Sequence, residues 1–231
     1  MILLTRPYPQ SFAIGTVLKK RGLSFFIEPM LTVVPLEPVS LVGHQTLIIT
    51  SRNALDFLES FRPNVTIYCV GQSLEVLLRE KGAVSVRSFA AVLRLVEFIK
   101  TKNPQDLGPI LYIAGQSKTL DIEAYLGPLG YSIQTKTVYK TESAKILSPD
   151  LMDHLKKGEI KTVSFFSKKT AETFINLMRF HGLEFLYPTL VVVSFSQEIA
   201  NKLKHLPWKN SIITKNSSMN SFWQVIKNHV G

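Results

Sequence analysis

ILLTRPYPQSFAIGTVLKKRG, residues 2–22, decides the fold once it is set beside ILYIAGQSKTLDIEAYLGPLG, residues 110–130. Both open on Ile-Leu in a short apolar run, cross a polar turn, continue as an amphipathic stretch with Leu18 matched to Leu126, and stop on a glycine at the same distance. An apolar run of strand length, then a helical pattern, then glycine is the repeating unit of a parallel sheet with crossover helices. Two more pairs follow the scheme. TLIITSRNALDFLESF (46–61) matches TVSFFSKKTAETFINL (162–177), with a serine at the strand tip, and TIYCVGQSLEVLLREKG (66–82) matches TLVVVSFSQEIANKLKH (189–205). Three matched pairs point to an internal duplication. Strands are expected at 2–4, 46–49, 66–70, 110–113, 162–166 and 189–193.

The units do not run as two consecutive copies, because two linker-like stretches interrupt them. TVVPLEPVS (32–40) carries Pro35 and Pro38, which forbid a central strand or helix interior; SIQTKTVYKTESAKILSP (132–149) starts with the alternation of a half-exposed strand and turns polar. Cutting there gives an inserted α/β domain over 40–135 and a discontinuous α/β domain from 1–34 and 145–231, with 35–39 and 136–144 as hinge strands. The fold class expected is α/β: two similar flavodoxin-like parallel-sheet domains joined by a two-stranded hinge, one inserted in the other. A cleft between such domains is the natural place for a ligand.

With 231 residues, 45% of them hydrophobic, the chain has enough apolar material for a real core, which excludes disorder, collagen-like and coiled-coil architectures. Its single cysteine, Cys69, cannot form an internal bridge, so a reducing compartment, the cytoplasm, is expected. MILLTRPYPQ has no basic segment leading into an apolar one and is not read as a signal peptide; no apolar run reaches membrane-span length. Twenty-seven Lys or Arg against 17 Asp or Glu give a net charge of +10, which favours anionic partners: nucleic acid, phosphates or polycarboxylates. The basic residues are scattered, without a dense basic helix or interleaved aromatics, which disfavours nucleic acid.

Ligands of open parallel sheets sit beyond the strands' C-terminal ends, where helix N-termini offer N–H groups. The turns there are Thr5-Arg6-Pro7, Thr50-Ser51-Arg52-Asn53, Gly71-Gln72-Ser73, Ala114-Gly115-Gln116-Ser117-Lys118, Ser167-Lys168-Lys169-Thr170 and Ser194-Phe195-Ser196-Gln197. Nearly all are rich in hydroxyls, amides or cations and none contains an acid, a composition suited to carboxylates or phosphates. Helix capping accounts for the same hydroxyls, and both readings stand at this point. No G-x-G-x-x-G or G-x-x-x-x-G-K-[ST] follows a strand, so dinucleotide and P-loop binding are unsupported. His44, His154, His181, His205 and His229 lack metal-ligand spacing, and no metal is expected; Ser51 and Ser167 lie outside G-x-S-x-G, against a hydrolase triad. Tyr139, beside Lys136, Lys140 and Thr141 in the second crossing stretch, is either a proton donor facing the cleft or a packing aromatic. Phe165 and Phe166 are expected as core or cleft wall.

The segments LLTRP (3–7), LIITSRNAL (47–55), YCVGQSLEVLLREKG (68–82), ILYIAGQ (110–116), TVYKTE (137–142) and VSFFSKKTAETF (163–174) resemble the uroporphyrinogen-III synthase family over nearly the whole chain. The resemblance implies two α/β domains with a two-stranded hinge. It also implies a cofactor-free lyase that closes hydroxymethylbilane, with loss of water and inversion of ring D, to uroporphyrinogen III in haem biosynthesis. It places Tyr139 as the tyrosine that helps the hydroxyl leave, Thr50, Ser51 and Ser167 as strand-tip hydroxyls facing the substrate, and Gly71 and Gln72 in a carboxylate-binding turn. Arg6, Arg52, Lys118, Lys168 and Lys169 are added as carboxylate partners by turn position, with Gly115 in the same set of turns. The family's usual Thr-Ala after the first V-G-x-x turn reads Leu74-Glu75 here, and the second-domain I-G-x-x-T-A reads Phe195 to Ala200, with Ser196 and Ile199 replacing Gly and Thr; Ser73 and Ser196 are candidates to replace the lost hydroxyls. The partners implied are hydroxymethylbilane and a transient contact with the deaminase that makes it, without nucleic acid or membrane, for a chain expected to be a monomer. The competing reading is a non-catalytic two-domain binding protein for a small polyanionic ligand.

Overall fold

Short, buried strands appear where the sequence carries runs rich in Ile, Leu and Val, as expected for strands covered on both faces. The computed structural model describes residues 1–36, 38–58, 61, 64–216 and 218–229, the last without its side chain. Glu37 of the expected hinge stretch 35–39, residues 59, 60, 62 and 63 of the range 40–135, residues 217, 230 and 231 of the range 145–231, and the His229 side chain lie outside the described residues. In chain order the elements are β1 (Ile2–Leu4), α1 (Tyr8–Lys20), β2 (Phe25–Ile27), β3 (Leu31–Pro35), β4 (Thr46–Ile49), a 3-10 helix (Arg52–Phe57), β5 (Thr66–Val70), α2 (Gln72–Glu80), β6 (Ser85–Phe89), α3 (Val92–Lys100), α4 (Pro104–Leu107), β7 (Ile110–Gly115), α5 (Ile122–Leu126), β8 (Ile133–Ser143), α6 (Pro149–Lys156), β9 (Thr162–Phe165), α7 (Lys168–Phe180), a 3-10 helix (Glu184–Thr189), β10 (Val191–Ser194), α8 (Gln197–Leu203), β11 (Asn210–Ile213) and α9 (Met219–His229).

The chain divides into two compact units, Met1–Thr32 with Glu142–Gly231 and Val33–Thr141, and it leaves the first within β3 and returns within β8. The first unit holds a sheet in the order β2-β1-β9-β10-β11, and the second holds β8-β7-β4-β5-β6 with β3 added beside β8. Counted from β1 in one and β7 in the other, both read 2-1-3-4-5, the flavodoxin-like order, and the ladders along both are parallel. Register repeats as well: Ile2 pairs with Thr162 and Ile110 with Thr46, so the 2–22/110–130 and 46–61/162–177 matches hold residue for residue at their strands.

The third match needs a correction. Thr46 pairs with Thr66 whereas Thr162 pairs with Val191, so Val191, not Thr189, is the counterpart of Thr66, and Gly71 falls opposite Ser196. The offset arises because Thr189 is the last residue of a 3-10 helix containing Pro188, which delays the expected strand by two residues. Strand β9 stops at Phe165, one residue early, and β7 continues to Gly115, two residues late. After β4 the expected helix is a 3-10 helix over Arg52–Phe57. Strand β3 ends at Pro35, at the edge of its sheet, where a missing N–H is tolerated; 136–143 of the other crossing stretch belongs to β8.

Each sheet is covered on both faces. In the first unit Leu3, Val163 and Val192 pack with α6, α7 and α8, while Ile2, Leu4 and Val193 pack with α1 and α9. In the second, Leu47, Ile67 and Leu111 lie on the face of α2, and Ile48, Tyr68 and Tyr112 on that of α3 and α5. Tyr8 and Phe12 on α1 stack on each other while more than half exposed, so α1 does present apolar surface, contrary to the premise on which a monomer was expected. Among the described residues no helix is long and apolar enough to cross a membrane.

Candidate active site

In a 2-1-3-4-5 sheet the loops after strands 1 and 3 diverge to opposite sides, which opens a crevice at their C-terminal ends. In the second unit those strands are β7 and β4, and their tips carry Gly115 and Thr50-Ser51. The neighbouring strand β8 supplies Tyr139. Its aim depends on a bulge: Ala114 pairs with Thr137 and Gly115 with Tyr139, so Val138 is the extra residue and Val138 and Tyr139 are both buried.

Tyr139 lies over Gly115, where an added Cβ would come within 2.5 Å of the phenol ring and 2.7 Å of its oxygen; glycine is what permits the approach. The ring stacks on Phe57 with centroids 6.0 Å apart and planes at 17°. The hydroxyl donates to Ser51 Oγ at 2.8 Å, and Ser51 Oγ also accepts from the Asn53 N–H at 3.2 Å as cap of the 3-10 helix. With both acceptor positions of Ser51 filled, its own proton is left to donate. Thr50, half-buried, shares a 3.1 Å hydrogen bond with the hydroxyl of Tyr112. Burial pushes the Tyr112 phenol above its usual value, opposed in part by the hydrogen bond shared with Thr50 and reinforced by nearby Tyr139.

Around this group the other candidates are arranged less tightly. Arg52 is exposed at the start of the 3-10 helix. Gly71 caps α2 with φ of +92°, a conformation that favours glycine, and Gln72 and Ser73 are exposed in the first turn. Glu75 follows in that turn. Hydrogen bonds from Ser88 and Arg79 hold its carboxyl below the usual carboxylate range, so a negative charge already sits at this helix N-terminus. Leu74, the other departure there, is core. Lys118 turns to Asp121 at 3.4 Å.

In the first unit the equivalent tips belong to β1 and β9. Thr5 there is fully buried and donates to the Ser164 carbonyl, while the Arg6 guanidinium lies 4.8 Å above the ring of Phe166. Phe166 packs on Phe195 and Phe222 and is half-buried, whereas Phe165 is core. Ser167 caps α7, accepting from the Thr170 N–H; Ser196 caps α8, accepting from the Ile199 N–H, with Ile199 buried. Lys168 lies 3.5 Å from Glu198, and Lys169 is exposed on the same turn. The turns themselves contain no acid, but acids just after two of them meet their lysines: Asp121, the N-cap of α5, lies by Lys118, and Glu198, in the first turn of α8, lies by Lys168, since helix N-termini favour carboxylates and lysine stems reach them.

The structure thus brings Ser51, Gly115 and Tyr139 together, sets Thr50 beside Ser51 with a bond of its own to Tyr112, and adds two residues that sequence reading passed over, Tyr112 and Phe57. A tyrosine in a central strand must find a hydrogen-bond partner, and that was the available signal for Tyr112. Cys69 is buried, its thiol pushed up to about 11 by burial and then by Glu75, so it is inert. Among the described residues no three His, Cys, Asp or Glu side chains gather as a metal site.

A family model described as Uroporphyrinogen-III synthase HemD matches residues 13–224. No curated protein matches the sequence. Among solved structures, that of uroporphyrinogen-III synthetase from Helicobacter pylori 26695 is 16% identical, covers 88% of this chain and 92% of its own, and superposes with a TM-score of 0.63, a likeness of fold. A mutant uroporphyrinogen III synthase from Thermus thermophilus is 15% identical over 99% of this chain and 100% of its own, with a TM-score of 0.49.

Proposed function

Because the chain belongs to the uroporphyrinogen-III synthase family, we propose that its Tyr139–Ser51 pair carries the loss of water from hydroxymethylbilane on the way to uroporphyrinogen III. Enzymes of this family are cyclising lyases of haem biosynthesis acting on that linear tetrapyrrole. The observation that supports the assignment is the directed chain of hydrogen bonds, Tyr139 to Ser51, at a sheet switch point.

Ser51 gives its proton to the terminal hydroxyl as the C–O bond breaks, and Tyr139 gives its proton to Ser51. Water leaves with the bonding pair, and an azafulvene cation remains. Attack on it by the substituted carbon of ring D forms a spiro intermediate, rearrangement inverts that ring, and the proton lost when the last pyrrole regains aromaticity returns to Tyr139, so no net proton is consumed. Holding the bilane in a reactive conformation is the larger part of the work. Thr50, Ser167, Ser73 and Ser196 act as hydroxyl donors, Gly71, Gln72 and Gly115 line the strand ends, and Arg6, Arg52, Lys118, Lys168 and Lys169 receive acetate and propionate carboxylates. We assign the chain to the cytoplasm on its lone buried cysteine, and take it to receive the bilane through a transient encounter with the deaminase.

The test generates hydroxymethylbilane with the deaminase, adds this protein, oxidises the products and separates uroporphyrin isomers I and III. A protein-dependent rise in isomer III is expected. Isomer I alone, from folded protein, would leave only a binding role.

A further inference from the structure

Tyr112 plays no part in the chemistry above, yet it is a large polar side chain only 2% exposed in the central strand β7. Among the described residues its phenol has one hydrogen-bond partner, Thr50 Oγ1 at 3.1 Å, and either oxygen is able to donate. Burial decides the direction. A phenol proton sealed in the sheet has nowhere else to go, whereas Thr50 is half-buried and its proton can turn to solvent or to a ligand. Tyr112 therefore donates, Thr50 accepts, and the threonine proton turns outward.

We propose that Tyr112 is a positioning residue for substrate binding: by donating to Thr50 Oγ1 it commits the Thr50 hydroxyl to donate to a carboxylate of the ligand. The arrangement repeats at the adjacent residue, where Tyr139 donates to Ser51 from the opposite face of the sheet, Tyr112 packing with the cluster of α3 and α5 and Tyr139 with that of α2. Each strand-tip hydroxyl has its acceptor side occupied by a phenol, so β4 ends in two outward donors. Raised by burial, the Tyr112 phenol stays protonated through the working pH range and holds this polarity constant. The inference rests on the reading of the reaction for the identity of the carboxylate and on the hydrogen bond for the rest.

The experiment compares wild type, Tyr112→Phe, Thr50→Val, Thr50→Ser and the double variant Tyr112→Phe/Thr50→Val. It measures isomer III formation and, without turnover, binding of the fluorescent octacarboxylate uroporphyrin III. Tyr112→Phe is expected to weaken uroporphyrin binding and raise KM about fivefold, the size of one net hydrogen bond, with kcat unchanged and an unchanged circular-dichroism spectrum. Thr50→Val should match Tyr112→Phe, Thr50→Ser should recover the affinity that Thr50→Val loses, and the double variant should be no worse than Thr50→Val. Wild-type affinity in Tyr112→Phe, a fall in kcat at constant KM, or additive losses in the double variant would overturn it. A protein that makes no isomer III but loses uroporphyrin affinity in the variants would end the reading of the reaction and leave this inference standing; one that does neither ends both.

Discussion

Gly115 has to remain without a side chain, because Tyr139 occupies the space a Cβ would take. Gly115→Ala is expected to cost about 1–3 kcal/mol of stability by overpacking and to lower kcat by swinging the phenol off Ser51; unchanged melting and unchanged turnover together would show that Tyr139 is free to give way. Tyr139→Phe keeps the stack on Phe57 and removes the donor. Its kcat should fall about 100-fold, as for a lost general acid, while KM barely moves. Equal kcat would remove Tyr139 from proton transfer. Tyr139 and Ser51 both stand among the candidates named from the sequence, but the bond between them was not legible: the two are 88 residues apart, and only strand pairing sets them side by side.

The element that aims this chemistry is β8 with its bulge at Val138, since a strand without the extra residue would send Tyr139 to the other face. A second element-scale device holds the outer strand β6: Glu75 on α2 accepts from Ser88 Oγ at 2.5 Å and from Arg79, which also donates to the Val84 and Val86 carbonyls. The folded pKa of Glu75 is depressed, so its contribution is present above the unfolded carboxyl value, about 4.3, and is lost as pH falls through the lower folded value. Chemical denaturation is expected to show a stability difference between wild type and Glu75→Gln at pH 6 that shrinks on acidification to about pH 3; a difference independent of pH would refute the clasp. Edge strands β2, β6 and β11 escaped the sequence reading because β2 is only three residues long and β6 and β11 mix polar with apolar residues, with little or no full burial to enforce an apolar run. The 3-10 helix after β4 escaped it because Ser51 and an apolar spacing also suit an α-helix start.

Across the whole chain the net charge of +10 and the basic turns predict electrostatic capture of a polycarboxylate. Arg6→Ala and Lys168→Ala should each raise KM at low salt, flatten its dependence on ionic strength and leave kcat nearly intact, with the smaller effect at Lys168, whose ammonium is shared with Glu198. If both variants bind as wild type does, backbone amides hold the carboxylates. The sequence by itself determined the α/β class, the duplication and the strands that carry it, because a strand buried on both faces must be written as a continuous apolar run and a crossover helix as a 3.6-residue pattern. Only the tertiary structure decided which strand tips meet. Two copies of one 2-1-3-4-5 order, each assembled from segments far apart in the chain, put β7 beside β4 and β1 beside β9, and the donors at those tips acquire their directions from neighbours the linear order does not reveal. Local pattern records burial, but hydrogen-bond polarity depends on which buried proton has no other acceptor, and that is a property of packing.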